Sequence, residues 1–269
     1  MTLFQRRCLP QGEPCAEVIV VHGFVEHGGR YLSAAEDLAS AGMAVSMPDL
    51  RGHGRSGGPR CWIRSFSEYL DDLDCVFDLV SHRAAGKPLF LFGHSMGGLI
   101  ALLWCVERQP PIGGLVLSGP ALELQSGLFP WIRRAAKLGS MLFPRLRLLR
   151  VGGRNISRDP AVVQQFRDDP LVFHGRFPVR TGAEILRAGE MARGRLKQLR
   201  VPLLILHGTA DRIAAVEASR ALYEQAESSE KQLCLYPGLY HDLLNEPERD
   251  RVRGDLIEWI TTRAGGRGA

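Results

Sequence analysis

The chain has 269 residues, 45% of them hydrophobic and 23% charged, with a formal net charge of +5. That length and composition suit one large α/β domain with room for an insertion, and they exclude a disordered chain. No run approaches the ~18 apolar residues of a membrane span, and no basic run interleaved with aromatics supports nucleic-acid binding.

Residues 1–13 lack a long apolar stretch and a small-residue cleavage site, and read as mature sequence rather than a signal peptide. Residues 17–21, Glu-Val-Ile-Val-Val, predict a buried strand that ends at His22-Gly23. A helix follows over 30–41, with Leu32, Ala35, Leu38 and Ala39 on one face and Gly42 as its stop. Residues 44–47 predict a second strand, closed by Pro48. Over 67–83, Leu70, Leu73, Val76, Phe77 and Val80 recur at helical spacing. Strand 89–92, helix 96–108 and strand 114–118 continue the alternation. From Leu122 to about Arg195 it breaks, and several Pro and Gly residues intervene. It resumes with strand 201–207, helix 215–227, strand 231–236 and helix 248–263; the tail from 265 to 269 predicts a frayed end.

Strands separated by helices imply a mostly parallel central sheet with helices on both faces, because parallel neighbours need crossover connections. The expected organisation is an α/β core from residues 1–120 and 196–269, with 121–195 inserted as a helical cap. Six cysteines form no C-x-x-C pair and no zinc-ligand spacing, which predicts reduced thiols in a cytoplasmic setting.

Gly93-His94-Ser95-Met96-Gly97 matches G-x-S-x-G directly between a predicted strand and a predicted apolar helix. A sharp strand-to-helix turn would hold the serine exposed at the strand's C-terminal edge, above a helix N-terminus that favours negative charge. A serine hydroxyl needs an adjacent base, itself oriented by a third group. In this motif's order the acid follows the serine, and the histidine follows the acid. Asp211, just past strand 201–207, and His241, just past strand 231–236, meet that order. Of the eight histidines, His241 alone follows both the acid and the last strand. His207, at a strand end before Asp211, reads as structural, and Asp242 is the rival acid, badly placed beside His241. The expected oxyanion donors are the backbone N–H of Met96 and, from the loop after the first strand, that of Phe24. The chemistry is acyl transfer through an acyl-enzyme, and it calls for no metal or cofactor.

Together these motifs make up a family pattern. His22-Gly23-Phe24-Val25-Glu26-His27-Gly28-Gly29-Arg30-Tyr31 resembles the HG-x-x-EH-x-x-RY segment of monoacylglycerol lipases and their bacterial lysophospholipase-like relatives. Asp49-Leu50-Arg51-Gly52-His53-Gly54-Arg55-Ser56 resembles their D-x-x-GHG-x-S loop, and Gly93 to Gly98, GHSMGG, their nucleophile elbow. Asp169-Pro170-Leu171 resembles a cap segment. His207 to Arg212, HGTADR, and Tyr240-His241 are similar to the acid and histidine loops. The likeness spans about residues 15 to 262.

The resemblance implies the α/β-hydrolase fold and an ester hydrolase for monoacylglycerols, with a cap over an acyl tunnel. It also implies a polar pocket lined or supported by Glu26, Arg30 and His94. Glu26 and Arg30 equally suit a helix-start ion pair that braces the oxyanion loop. Arg51, His53 and Ser56 read as loop-shaping. Family members often carry a tyrosine shortly before the DP of the cap, where this chain has Phe166.

The implied partner is a small lipid ester. Lysophospholipids, short esters and thioesters stay open as substrates, and a non-catalytic binding protein of the same fold is the alternative of another class. Residues 122–149 interleave leucines, Phe129, Trp131 and Phe143 with Arg133, Arg134, Lys137, Arg145 and Arg147. Such a segment suits either a cap helix packed on the body or a transient peripheral contact with a membrane surface.

Overall fold

A computed structural model describes residues 1–125, 139–140 and 142–265. Half of the basic, apolar stretch singled out above, including Phe129, Trp131, Arg133, Arg134 and Lys137, lies outside the described residues, as does the end of the tail.

The chain folds around a seven-stranded sheet in the order β1-β3-β2-β4-β5-β8-β9. Its strands are β1 (Gln5–Cys8), β2 (Ala16–Val21), β3 (Met43–Pro48), β4 (Leu89–His94), β5 (Gly114–Ser118), β8 (Leu203–Gly208) and β9 (Lys231–Tyr236). All neighbours pair in parallel except β1, which runs antiparallel to β3. Sequence patterning assigns no element before residue 17. β1 escapes it because Gln5-Arg6-Arg7-Cys8 is polar and lies on a half-exposed edge, where no apolar alternation is required.

The central strands are buried throughout and largely apolar because both faces of the sheet are covered. Along β4, Leu89 and Leu91 enter one core with α2 (Ser67–Ala84) and α3 (Met96–Arg108). Phe90 and Phe92 point the other way, into a second core with α1 (Leu32–Ser40) and Trp259 of α7 (Arg249–Gly265). Truncating either phenylalanine to alanine would cost about 3–5 kcal/mol, since both are fully enclosed. The remaining body helix, α6 (Val216–Gln225), connects β8 to β9.

The insertion between β5 and β8 contains a small antiparallel pair, β6 (Arg147–Leu149) and β7 (Phe177–Pro178), with helices α4 (Pro160–Asp168) and α5 (Val179–Arg193). α4 starts where Asp159 accepts the Ala161 N–H at 2.8 Å and Pro160 takes the first helical position. It buries only Val162 and Phe166, which is why its periodicity is faint in the sequence. α5 is less separate from the body than a cap spanning 121–195 implies. Its Ala188 and Ala192 belong to the α2–α3 core, and its Glu184 accepts the Phe66 N–H at 3.1 Å. No helix of the described residues is long and apolar enough to cross a membrane.

Candidate active site

Ser95 stands between β4 and α3 with φ 53° and ψ −117°, a left-handed conformation for a residue with a side chain. Such strain costs about 1–3 kcal/mol and persists only where the surroundings enforce it. Here the Ser95 N–H donates to the Ser118 carbonyl at 3.0 Å, and the Ser95 carbonyl accepts from Leu99 and Ala121. The flanking glycines are needed for close approach. A Cβ on Gly97 would lie 2.1 Å from the Val21 carbonyl oxygen, and one on Gly93 2.5 Å from that of Gly97.

Asp211 and His241 follow β8 and β9, as their sequence positions predict. The His241 Nδ1 donates to Asp211 Oδ2 at 2.7 Å, and both side chains are buried. The other carboxylate oxygen, Oδ1, accepts the N–H groups of Ile213 and Ala214 at 2.7 and 3.0 Å. Burial alone would raise the Asp211 pKa, but the His241 charge and the hydrogen bonds from His207 and His241 hold it well below the usual carboxylate range. Burial would lower the His241 pKa. The Asp211 carboxylate and its hydrogen bond outweigh that, with help from Asp242 and Glu26, and raise it.

Ser95 and His241 line one cavity of about 500 Å³, together with Phe24 and Met96. Its polar end also holds Glu26, Arg30, His94 and Asp242. Its walls are apolar, with Leu124, Leu146, Ile156, Phe177, Leu186 and Ile213 among them. The structure therefore gathers the site residues singled out from the sequence, Phe166 included, around one cavity, with Asp211 bonded to the rim through His241.

The polar end is a chain of buried ion pairs. Glu26 Oε1 accepts the Gly23 N–H and the Tyr31 hydroxyl, each at 2.6 Å, and Oε2 accepts Arg30 Nε at 2.9 Å. Arg30 then donates through Nη2 to Asp242 Oδ2 at 2.8 Å. Burial pushes the Glu26 pKa up, but Arg30, His94, His22 and Tyr31 together bring it down to about 2. Of the two readings of Glu26 and Arg30, bracing is thus fully realised, while both still face the cavity. The brace is wider than a helix-start pair. Through Asp242, a residue set aside as a rival acid, it ties the oxyanion loop to the His241 loop. Arg30 also lies over the Phe166 ring, 4.9 Å from its centroid. His94 donates from Nδ1 to the Ser118 carbonyl at 3.1 Å, and burial lowers its pKa.

The loop-shaping residues behave as read. Arg51 makes two 2.6 Å bonds to Asp72, His53 Nδ1 donates to the Arg51 carbonyl, and the Ser56 hydroxyl donates to the Asp49 carbonyl. Sequence patterning misses the contacts that clamp the insertion to the site. His27 Nε2 donates to Asp169 Oδ2 at 2.8 Å, and the Phe173 N–H donates to the Val25 carbonyl at 2.7 Å. The Asp242 N–H donates to the Ile156 carbonyl at 2.7 Å. Each joins residues far apart in the chain. The pairing of an EH segment with a DPL segment is the one sequence signal that points to any of them.

Known proteins resemble the chain in sequence and in architecture. Residues 12–248 match the family described as serine aminopeptidase, S33. The chain is 36% identical to a monoacylglycerol lipase of Mycolicibacterium smegmatis over 94% of this chain and 90% of that protein. It is 34% identical to a phospholipase of Bacillus subtilis over 89% of this chain and 92% of that one. The crystal structure of Paleococcus ferrophilus monoacylglycerol lipase superposes with a TM-score of 0.89 at 31% identity, covering 98% of this chain and all of that one. By sequence and by architecture, then, the chain belongs to the serine aminopeptidase S33 family of hydrolases and has the α/β-hydrolase fold.

Proposed function

We propose that the chain hydrolyses monoacylglycerols to fatty acid and glycerol, with Ser95 as nucleophile, His241 as base and Asp211 as the group that orients the histidine. The observation that carries this reading is the cavity itself, with Ser95 and His241 at its polar end and apolar walls beyond them. His241 takes the Ser95 proton as the hydroxyl oxygen attacks the ester carbonyl. The N–H groups of Phe24 and Met96 hold the oxyanion, each typically worth about 3–4 kcal/mol in such sites. The imidazolium then protonates the departing glycerol oxygen. Water repeats the cycle on the acyl-enzyme and releases the acid.

Two features narrow the substrate. Arg30 is engaged by two carboxylates, Glu26 and Asp242. Among the described residues the polar end therefore offers no spare cation for a phosphate, and a neutral glycerol head fits better than phosphoglycerol. The apolar walls suit an acyl chain, whereas a peptide would leave its amides without partners there. Segment 121–195 serves as the cap. Within it Leu142, Phe143, Leu146 and Leu148 stand exposed beside Arg145 and Arg147, which supports transient contact with an anionic lipid surface.

The test is hydrolysis of matched monoacyl, diacyl and lysophospholipid substrates across chain lengths. Monoacylglycerols should be preferred, and Ser95→Ala should lose at least about 10⁴-fold in kcat along with fluorophosphonate labelling. Equal rates on diacylglycerols or lysophospholipids would overturn the substrate while leaving the serine chemistry intact. Hydrolysis surviving in Ser95→Ala would overturn both.

A further inference from the structure

Asp211 holds two histidines, not one. Its Oδ2 lies 2.7 Å from His241 Nδ1 and 3.3 Å from Nε2 of His207, which is wholly buried at the end of β8. The sequence assigns His207 only a structural part, and the reaction described above does not use it. The Nε2 atom faces two acceptors, Asp211 Oδ2 and the Ala214 carbonyl, both at 3.3 Å. A carbonyl cannot donate, and an ionised carboxylate cannot either, so Nε2 carries a proton, which it donates to the Ala214 carbonyl while standing within ion-pair distance of Asp211 Oδ2. On the far side of the ring, Nδ1 lies 2.7 Å from the hydroxyl of Ser219, a buried residue of α6. A neutral ring satisfies every contact if the Ser219 hydroxyl donates to Nδ1. Ser219 therefore selects the tautomer that presents N–H to Asp211.

We propose that His207, set by Ser219, is a positioning residue for the hydrolysis, one that fixes the Asp211 carboxylate and moderates how strongly it draws the proton of His241. This rests on the assignment of Ser95, His241 and Asp211 above. Two backbone N–H groups occupy Oδ1, and His207 occupies the free side of Oδ2, so the carboxylate cannot rotate away from His241. A donor on Oδ2 also spreads its negative charge. Without that donor, Asp211 would hold the imidazolium more tightly and His241 would be a base over a narrower range of pH. The other ionisable groups that face His241 are Asp242 on its own loop, Glu26 on the oxyanion loop and His94 at the end of β4. Arg30 already pairs both carboxylates, so none of these changes when His207 is replaced.

The experiment compares kcat, KM and the acidic limb of the kcat/KM–pH profile in the parent enzyme, His207→Leu, His207→Gln and Ser219→Ala. In His207→Leu the limb should move up by about half a pH unit, as expected for loss of one shared neutral donor. Its kcat near neutrality should fall about tenfold, with KM within about twofold. His207→Gln cannot titrate but can still donate, and should recover the parent limb and most of kcat. Ser219→Ala releases the tautomer and should shift the limb in the same direction by less. A role confined to core packing would lower the melting temperature and leave the limb in place. If His207→Leu stays folded with an unmoved limb and kcat within about twofold, the proposal is wrong. If His207→Leu does not fold, an unmoved limb and unchanged kcat in Ser219→Ala overturn the proposal equally. Failure of the underlying assignment reads differently, since Ser95→Ala would then remain active whatever the His207 variants do.

Discussion

The C-terminal edge of the sheet and the insertion between β5 and β8 meet across one cavity, yet different forces hold them there. At the sheet edge, Ser95, Asp211 and His241 sit on turns that close directly after β4, β8 and β9. Strand pairing sets the strand ends, and backbone contact sets the turns: Gly97 leaves no room for a Cβ against Val21. The insertion makes fewer such commitments. It reaches the oxyanion loop through His27–Asp169 and Phe173–Val25, and the histidine loop through Ile156–Asp242. Arg158 adds an ion pair to the fully buried Glu246 just beyond that loop. The sheet edge should therefore govern whether the reaction runs, and the insertion what is admitted and how well it is aligned.

Asp211→Asn puts this division under the greatest load. The wrong imidazole tautomer should cost about 10⁴-fold in kcat with little change in KM. The pH dependence should follow the shifts. Because Asp211 raises the His241 pKa, the parent's acidic limb should lie above the ordinary histidine value of about 6.5, and in Asp211→Asn it should fall below that of the parent. Stability carries opposite signs for the two groups. The lowered Asp211 pKa contributes stability that is fully present above the ordinary aspartate range and is lost as pH falls below that range and through the folded value. The raised His241 pKa contributes below the ordinary histidine value and is lost as pH rises through the folded one. Melting temperature against pH, in parent and variant, reads both.

Gly97→Ala should come next. The added methyl meets two backbone carbonyls, from Val21 and His22, that cannot yield without moving β2's end. Overpacking of this kind costs about 1–3 kcal/mol or more, and displacing Ser95 from the oxyanion donors should reduce kcat about a hundredfold. Thermal melts with fluorophosphonate labelling separate the two effects.

On the insertion side, effects should be smaller and fall on a different parameter. Asp169→Asn weakens a clamp whose carboxylate is a quarter exposed, so solvent already screens it. A loss of about three- to tenfold in kcat/KM for long acyl chains is expected, with labelling of Ser95 by a small fluorophosphonate unaltered. A loss of about 10³-fold instead would mean that the insertion also builds the catalytic geometry. Phe166→Tyr should do least. It places a hydroxyl beside Arg30 and should change KM for monoacylglycerols about two- to threefold, with short esters unaffected.

Most of the sheet was legible in the sequence for a plain reason. Strands buried on both faces must be continuous apolar runs, and Gly-x-Ser-x-Gly between such a run and an apolar helix has few other structural uses. β1 was not, because an edge strand need not alternate. The short α4 was not, because it buries only two side chains. At the site the same contrast holds. Ser95, Asp211 and His241 announce themselves by order along the chain. Asp242 and His207 do not, because their importance lies in a partner far away in sequence or in the hand of a single ring nitrogen.

Local sterics and burial periodicity thus write the α/β architecture, the strained serine turn, and the acid and histidine that follow it directly into the chain. Three-dimensional folding alone settles that Arg30 is engaged by Glu26 and Asp242, that His27 clamps Asp169, and that Asp211 carries a second imidazole. Those are contacts between charged or polar groups on loops and strand ends. No periodicity encodes them, because a hydrogen bond constrains where two side chains meet and not how far apart they lie along the chain.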